Sequence, residues 1–153
     1  MRAQGFRVYA FDIEQEAIER CQKRFSKDKC VTLSVASFDD YRYPSASLVI
    51  ADSSLFFCSE NVFAGVWNKI VHCIEPDGVF VGSFLGSQDT MAGPEFNKSA
   101  YWPDVLVASE QQVKAWMEGF KIISLNEHKS DGYATDGKPH RWHIISVIAQ
   151  KLV

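Results

Sequence analysis

The sequence predicts an α/β fold with a mostly parallel sheet that ends in an antiparallel hairpin. Two observations predict it. Apolar runs of strand length alternate with segments of helical periodicity, the pattern of successive βαβ units. The last two strand-like runs are joined by a turn-rich link with no helical pattern. A parallel return needs a crossover, usually helical, so this link favours reversal.

The first strand is read at Phe6 to Asp12. A helix follows with Ala17, Ile18, Cys21 and Phe25 on one face. The second strand runs from Cys30 to Val35. The third, Leu48-Val49-Ile50-Ala51, is apolar throughout, as suits a strand covered on both faces. Ser59 is placed to cap the next helix, whose stripe is Val62, Phe63, Val66, Trp67, Ile70, Val71 and Ile74. Pro76-Asp77-Gly78 stops that helix and leads into a strand from Val79 to Phe84. A long polar and aromatic segment then reaches about Ala108. Ser109 with Gln112 forms a capping-box pattern for a short helix that Gly119 ends. The hairpin strands are read at Lys121 to Asn126 and His143 to Ala149.

The 153 residues are enough for one domain with a substantial core. Hydrophobic residues make up 46% and charged residues 23%, an ordinary globular balance. The net charge of −3, with no basic patch, argues against nucleic acid and anionic membrane as partners. No apolar run is long enough to span a bilayer, and the N-terminus has no signal-peptide core. Cys21, Cys30, Cys58 and Cys73 lack metal-like spacing. Their apolar neighbours suit reduced, buried thiols in a cytoplasm.

Ligands of open α/β sheets bind at the carboxyl ends of the strands. The first strand ends in Asp12, whose carboxylate suits the paired hydroxyls of a ribose; the position also suits a helix cap. The second ends near Ser37 and Phe38, a polar group beside an aromatic, as an adenine ring requires. After the third come Asp52 and Ser53, then Phe56 and Phe57, which either wall a pocket or belong to the core. Tyr101 and Trp102 suit a lid, a substrate wall or a hydrophobic plug. His140 and His143 lie three apart and face opposite sides of a strand, so they do not share a metal. His140 reads as a turn residue and His143 as a satisfied sheet residue; otherwise one of them serves as substrate contact or general base. No catalytic residue and no metal ligand is assigned. The sequence contains no G-x-G-x-x-G.

The order of these motifs resembles that of the class I S-adenosylmethionine-dependent methyltransferases, most nearly the small bacterial proteins related to tellurite-resistance methyltransferases. Gln4-Gly5-Phe6-Arg7-Val8 into Ala10-Phe11-Asp12 resembles the family's second strand and its ribose-binding acid. Ile13 matches the residue that packs on adenosine, and Ala36-Ser37-Phe38 the adenine segment, where the family commonly has Asp in place of Ser37. Leu48 to Ala51 with Ser53 to Cys58 is similar to the fourth strand and its substrate-facing loop. Ile74-Glu75-Pro76-Asp77-Gly78 resembles the turn into the fifth strand, and Trp142 to Ala149 the reversed last one.

The resemblance implies a Rossmann-like domain over residues 1–153 that uses S-adenosylmethionine and a small-molecule acceptor. It implies Asp12, Ile13, Ser37, Phe38, Asp52 and Ser53 on the cofactor side. On the substrate side it implies Phe57, Tyr101, Trp102 and His140. The family opens with a strand and a glycine-rich loop that this sequence does not show. The expectation is therefore a truncated domain with the first strand absent and weak cofactor binding. Unpaired inner edges would invite a homo-oligomer. The alternatives are a non-catalytic remnant or a subunit completed by another chain, and an NAD(P)-dependent oxidoreductase, against which the hairpin argues.

Overall fold

The computed structural model describes residues 5–94 and 105–153. The chain divides into two compact units, Met1–Pro44 and Ser45–Val153.

In the first unit, strand β1 (Val8–Asp12), helix α1 (Gln15–Phe25) and strand β2 (Val31–Val35) form one βαβ turn. The strands are parallel, in register from Val8 opposite Val31 to Asp12 opposite Val35. Val8 donates its N–H to the Cys30 carbonyl at 2.7 Å, and Ala36 donates to the Asp12 carbonyl at 3.0 Å. Helix α1 buries Ile18 and shows its charges outward, with Glu16 and Arg20 paired one turn apart. An aromatic cluster forms around Phe11. Tyr41 stacks on it at 3.9 Å, while Phe38 and Tyr43 meet it edge-on at 5.8 Å.

The second unit holds strand β3 (Ala46–Ala51), helix α2 (Glu60–Cys73), strand β4 (Ile74–Leu85), helix α3 (Glu110–Trp116), and strands β5 (Phe120–Tyr133) and β6 (Pro139–Lys151). The strand order is β3-β4-β6-β5. β3 and β4 are parallel, and β6 runs antiparallel to both β4 and β5. Residues opposite one another share a face. Phe80, Phe84, Ile145, Val147 and Ala149 therefore form one buried face. Helices α2 and α3 supply its cover. Trp67 meets Phe80 edge-on at 5.0 Å, and Trp116 lies 4.5 Å from Phe63 and 5.0 Å from Phe84. The Trp67 indole N–H donates to the Trp116 carbonyl at 3.0 Å, which ties the two helices together.

The structure departs from the expectations in four places. The hairpin is longer: β5 and β6 pair from Phe120 opposite Lys151 to Tyr133 opposite Pro139. Only Ala134 to Lys138 turns, so His140 is a strand residue. The added length is polar and held by ladder hydrogen bonds, hence invisible to apolar periodicity. β3 is not covered on both faces, since Ile50 is 48% exposed. Cys30 is exposed, because it precedes β2 in a turn where the Asp28 carboxylate accepts its N–H; Cys58 is the buried thiol. Ser59 occupies the α2 N-cap without a side-chain bond, whereas the Ser109–Gln112 capping box is complete.

Candidate functional site

Each unit carries one rim of parallel-strand carboxyl ends. In the first unit, Asp12 and Ile13 follow β1, and Ser37 and Phe38 follow the adjacent β2. Asp12 does not cap α1, whose N-cap is Glu14. Its Oδ1 accepts the Glu14 N–H at 2.8 Å. Its other oxygen has no partner among the described residues, and the side chain is exposed. Ile13 beside it is 51% exposed, an apolar surface next to a free acceptor. That pair fits a ribose and the flank of an adenosine.

Ser37 is differently placed. Its hydroxyl reaches Asp39 Oδ1 and Asp40 Oδ2, each at 2.8 Å, and accepts the Asp40 N–H. Those bonds occupy it within its own turn. Phe38 packs edge-on against Phe11, and its carbonyl accepts the Tyr43 hydroxyl at 2.9 Å.

In the second unit, Asp52 and Ser53 follow β3 and are exposed. Ser83, fully buried in β4, joins them. Its hydroxyl donates to Asp52 Oδ1 at 2.7 Å and accepts the Ser53 N–H at 2.8 Å. Ser53 lies at φ 50, a left-handed conformation uncommon outside glycine, which bends the chain just past β3. The following turn buries Leu55 and Phe56 in the core and leaves Phe57 half-buried.

A second polar network lies just beyond the end of β4. Asp89 is buried, and its carboxylate accepts the His143 N–H at 2.8 Å and the Met91 N–H at 3.0 Å. His140 Nε2 lies 3.2 Å from the same carboxylate, and its ring packs on Trp142 at 4.7 Å. Thr90 Oγ1 accepts the Arg141 N–H at 2.8 Å. Where β4 ends, side chains of this loop thus continue the ladder along β6. The His143 ring lies against Gly86, where no Cβ would fit. Its Nδ1 accepts the Gln88 N–H at 3.0 Å, so the proton sits on Nε2, 2.6 Å from Glu127 Oε1. The bond from His143, with a further contribution from Lys129, holds the Glu127 carboxyl below the usual glutamate range.

The sequence reading named His140 but missed Ser83, Asp89 and Glu127. The available signal was a serine within the apolar run Val79 to Leu85, and an aspartate in the loop directly after it. Asp12, Ile13, Ser37 and Phe38 lie on the rim of the first unit, and Asp52, Ser53, Phe57 and His140 in the second. Tyr101 and Trp102 lie outside the described residues. Among the described residues no helix is long and apolar enough to cross a membrane, and no acidic, histidine or cysteine cluster has metal-holding geometry.

A family model described as a methyltransferase domain matches residues 1–82. No curated protein gives a significant sequence match. Among solved structures, TehB from Haemophilus influenzae superimposes with a TM-score of 0.77 at 12% identity, over 96% of this chain and 50% of TehB. The chain thus spans half the length of that relative. A SAM-dependent methyltransferase from Methanosarcina mazei gives 0.70 at 11% identity, over 99% of this chain and 84% of that one. The N-methyltransferase NodS from Bradyrhizobium japonicum, solved with S-adenosylhomocysteine, gives 0.65 at 12% identity, over 95% and 66%. At these identities the likeness is one of fold. With a family model matching more than half of its residues, and with parallel strands leading into a reversed terminal hairpin, the chain belongs to the methyltransferase domain family, on the class I Rossmann-like fold.

Proposed function

We propose that the protein carries out S-adenosylmethionine-dependent methyl transfer to a small molecule. The observation that carries this reading is the family match over residues 1–82, which includes the strand ends at Asp12, Ser37 and Ser53. The cofactor, when bound, supplies an already activated methyl group, so the protein's work is alignment and electrostatics. Asp12 offers its free carboxylate oxygen to the ribose hydroxyls, and Ile13 packs on the adenosine. Phe38 flanks the adenine, with Ser37 contributing through its turn. Asp52 and Ser53, braced by Ser83, form the cofactor side of the second rim. Phe57, Tyr101, Trp102 and His140 wall the acceptor. His140, held by Asp89 at 3.2 Å, takes a proton from acceptors that carry one. The setting is cytoplasmic, a reading supported by four free thiols.

Calorimetric titration with S-adenosylhomocysteine tests the reading. The expected result is saturable binding, which Asp12→Ala weakens by a factor of about 10 to 100, the worth of a hydrogen bond to a charged group. Absence of any saturable binding would favour a non-catalytic member of the family. Undiminished binding by Asp12→Ala would remove Asp12 from the site.

A further inference from the structure

The four histidines of the chain are bound in different ways. His72 Nδ1 meets the Asn68 carbonyl at 2.7 Å, and His128 Nε2 meets the Ser130 hydroxyl at 3.2 Å, both at the surface. His143 is buried with both ring nitrogens engaged, one by the Gln88 N–H and one by Glu127. His140 combines a buried carboxylate on one nitrogen with an open second nitrogen.

The Asp89 side chain is fully buried and held through both oxygens. Oδ1 accepts the Met91 N–H at 3.0 Å, and Oδ2 accepts the His143 N–H at 2.8 Å. Those bonds fix the carboxylate, and His140 Nε2 lies 3.2 Å from Oδ1. A carboxylate only accepts, so this contact keeps a proton on Nε2 and makes Nδ1 the nitrogen able to take another. Nδ1 has no partner among the described residues. No buried side-chain nitrogen or oxygen there lacks one, so Nδ1 reaches solvent although the side chain is only 11% exposed. The Trp142 ring, 4.7 Å away, packs on the imidazole and itself lies over Gly132. β6 passes the end of β4 at Ile144, which stands opposite Leu85. His140 therefore stands beyond the carboxyl end of β4, on the ligand side of a parallel sheet.

We infer that Asp89 is a positioning residue that presents His140 Nδ1 to the methyl acceptor, and that the acceptor attacks through an oxygen or nitrogen whose proton it must lose. The inference rests on the methyl-transfer reading above. As the acceptor atom bonds the methyl carbon, its proton passes to Nδ1 and the electron pair of the broken bond stays on that atom. The methyl–sulfur bond breaks with its pair left on sulfur. The positive charge thus moves from the sulfonium to the imidazole, where the fixed carboxylate stabilises it and holds the ring in place. Thioethers and tertiary amines attack through a lone pair and release no proton, so they gain nothing from this arrangement.

Nitrogen-15 spectra of the histidine-labelled full chain test the geometry, with His140 identified by its loss in His140→Ala. The expected result is a proton on Nε2 throughout, with Nδ1 as the nitrogen that titrates. Release of S-adenosylhomocysteine tests the chemistry, with a set of phenols and indoles against thioanisole and N,N-dimethylaniline as acceptors. Transfer is expected to the first set. His140→Ala lowers kcat there by about 100-fold or more with little change in KM, and added imidazole restores part of it. Asp89→Asn lowers kcat in the same sense; should circular dichroism show that it unfolds, His140→Ala and its rescue carry the test. Three results overturn the inference and leave methyl transfer standing: transfer to the proton-free set alone, undiminished kcat in His140→Ala, or a wild-type ring protonated on Nδ1 and bare on Nε2. Transfer to neither set overturns the methyl-transfer reading, and the acceptor class with it.

Discussion

Asp89 holds two backbone N–H groups and an imidazole with one buried carboxylate, and so fixes the loop beyond β4 against β6. Its neighbour in the network, Glu127, titrates within reach of experiment. The hydrogen bond from His143 lowers its pKa in the folded state relative to the unfolded one. The folded state therefore gains from ionised Glu127 at all pH values above the ordinary glutamate range. That gain is lost as pH falls through the lowered folded value. Glu127→Gln removes the titration, and denaturant melts from neutral to acid pH should show a shallower acid loss than wild type. An unchanged acid limb would mean that the His143 contact contributes nothing. Of the individual site residues, those at strand ends were legible because a strand's end is marked by the first polar residue after an apolar run. Asp89 and Glu127 were not. Their partnership joins positions far apart in sequence, and neither breaks an apolar pattern.

Among elements, α3 was the most completely readable. Its seven residues are too few for propensity alone to hold, so the cap matters. Ser109 accepts the Gln112 N–H, and the Gln112 side chain accepts the Ser109 N–H at 2.9 Å. Ser109→Ala should cost about 1 kcal/mol, read as a lower denaturant midpoint at unchanged slope. No shift would mean that the packing of Val113 and Trp116 alone sets the helix. The terminal hairpin was legible only in its sense. Its reversal followed from the turn residues, but its length did not, because Glu127 to Tyr133 alternates polar with polar. What that arm has in place of burial is local: the Trp142 ring packs over Gly132, close enough that a Cβ there would come within 2.8 Å of it.

At the scale of the molecule, the described strands form two sheets, one of two strands and one of four. Apolar periodicity reports which elements exist, not which of them share hydrogen bonds, so the separation of β1-β2 from the four-stranded sheet was not visible. The consequence is unequal stability. A two-stranded sheet is marginal without further support, and the first unit's described residues bury one large aliphatic side chain, Ile18, to below a tenth exposed. The second unit buries Phe80, Phe84, Leu55, Ile74 and Val66 almost completely. Amide exchange followed by mass spectrometry should find β1 and β2 opening well before β4 and β6. Equal protection in both would contradict the division.

The strand order carries one more consequence, for synthesis. β6 is the last strand in chain order, yet it lies between β4 and β5. As the chain leaves the ribosome, β4 emerges with only β3 to pair with, and β5 has no strand beside it at all. The first unit can form while translation continues, but the larger sheet closes only when residues 139–151 arrive. Until then the apolar face of β4 waits for a partner not yet made, and the final strand acts as the keystone.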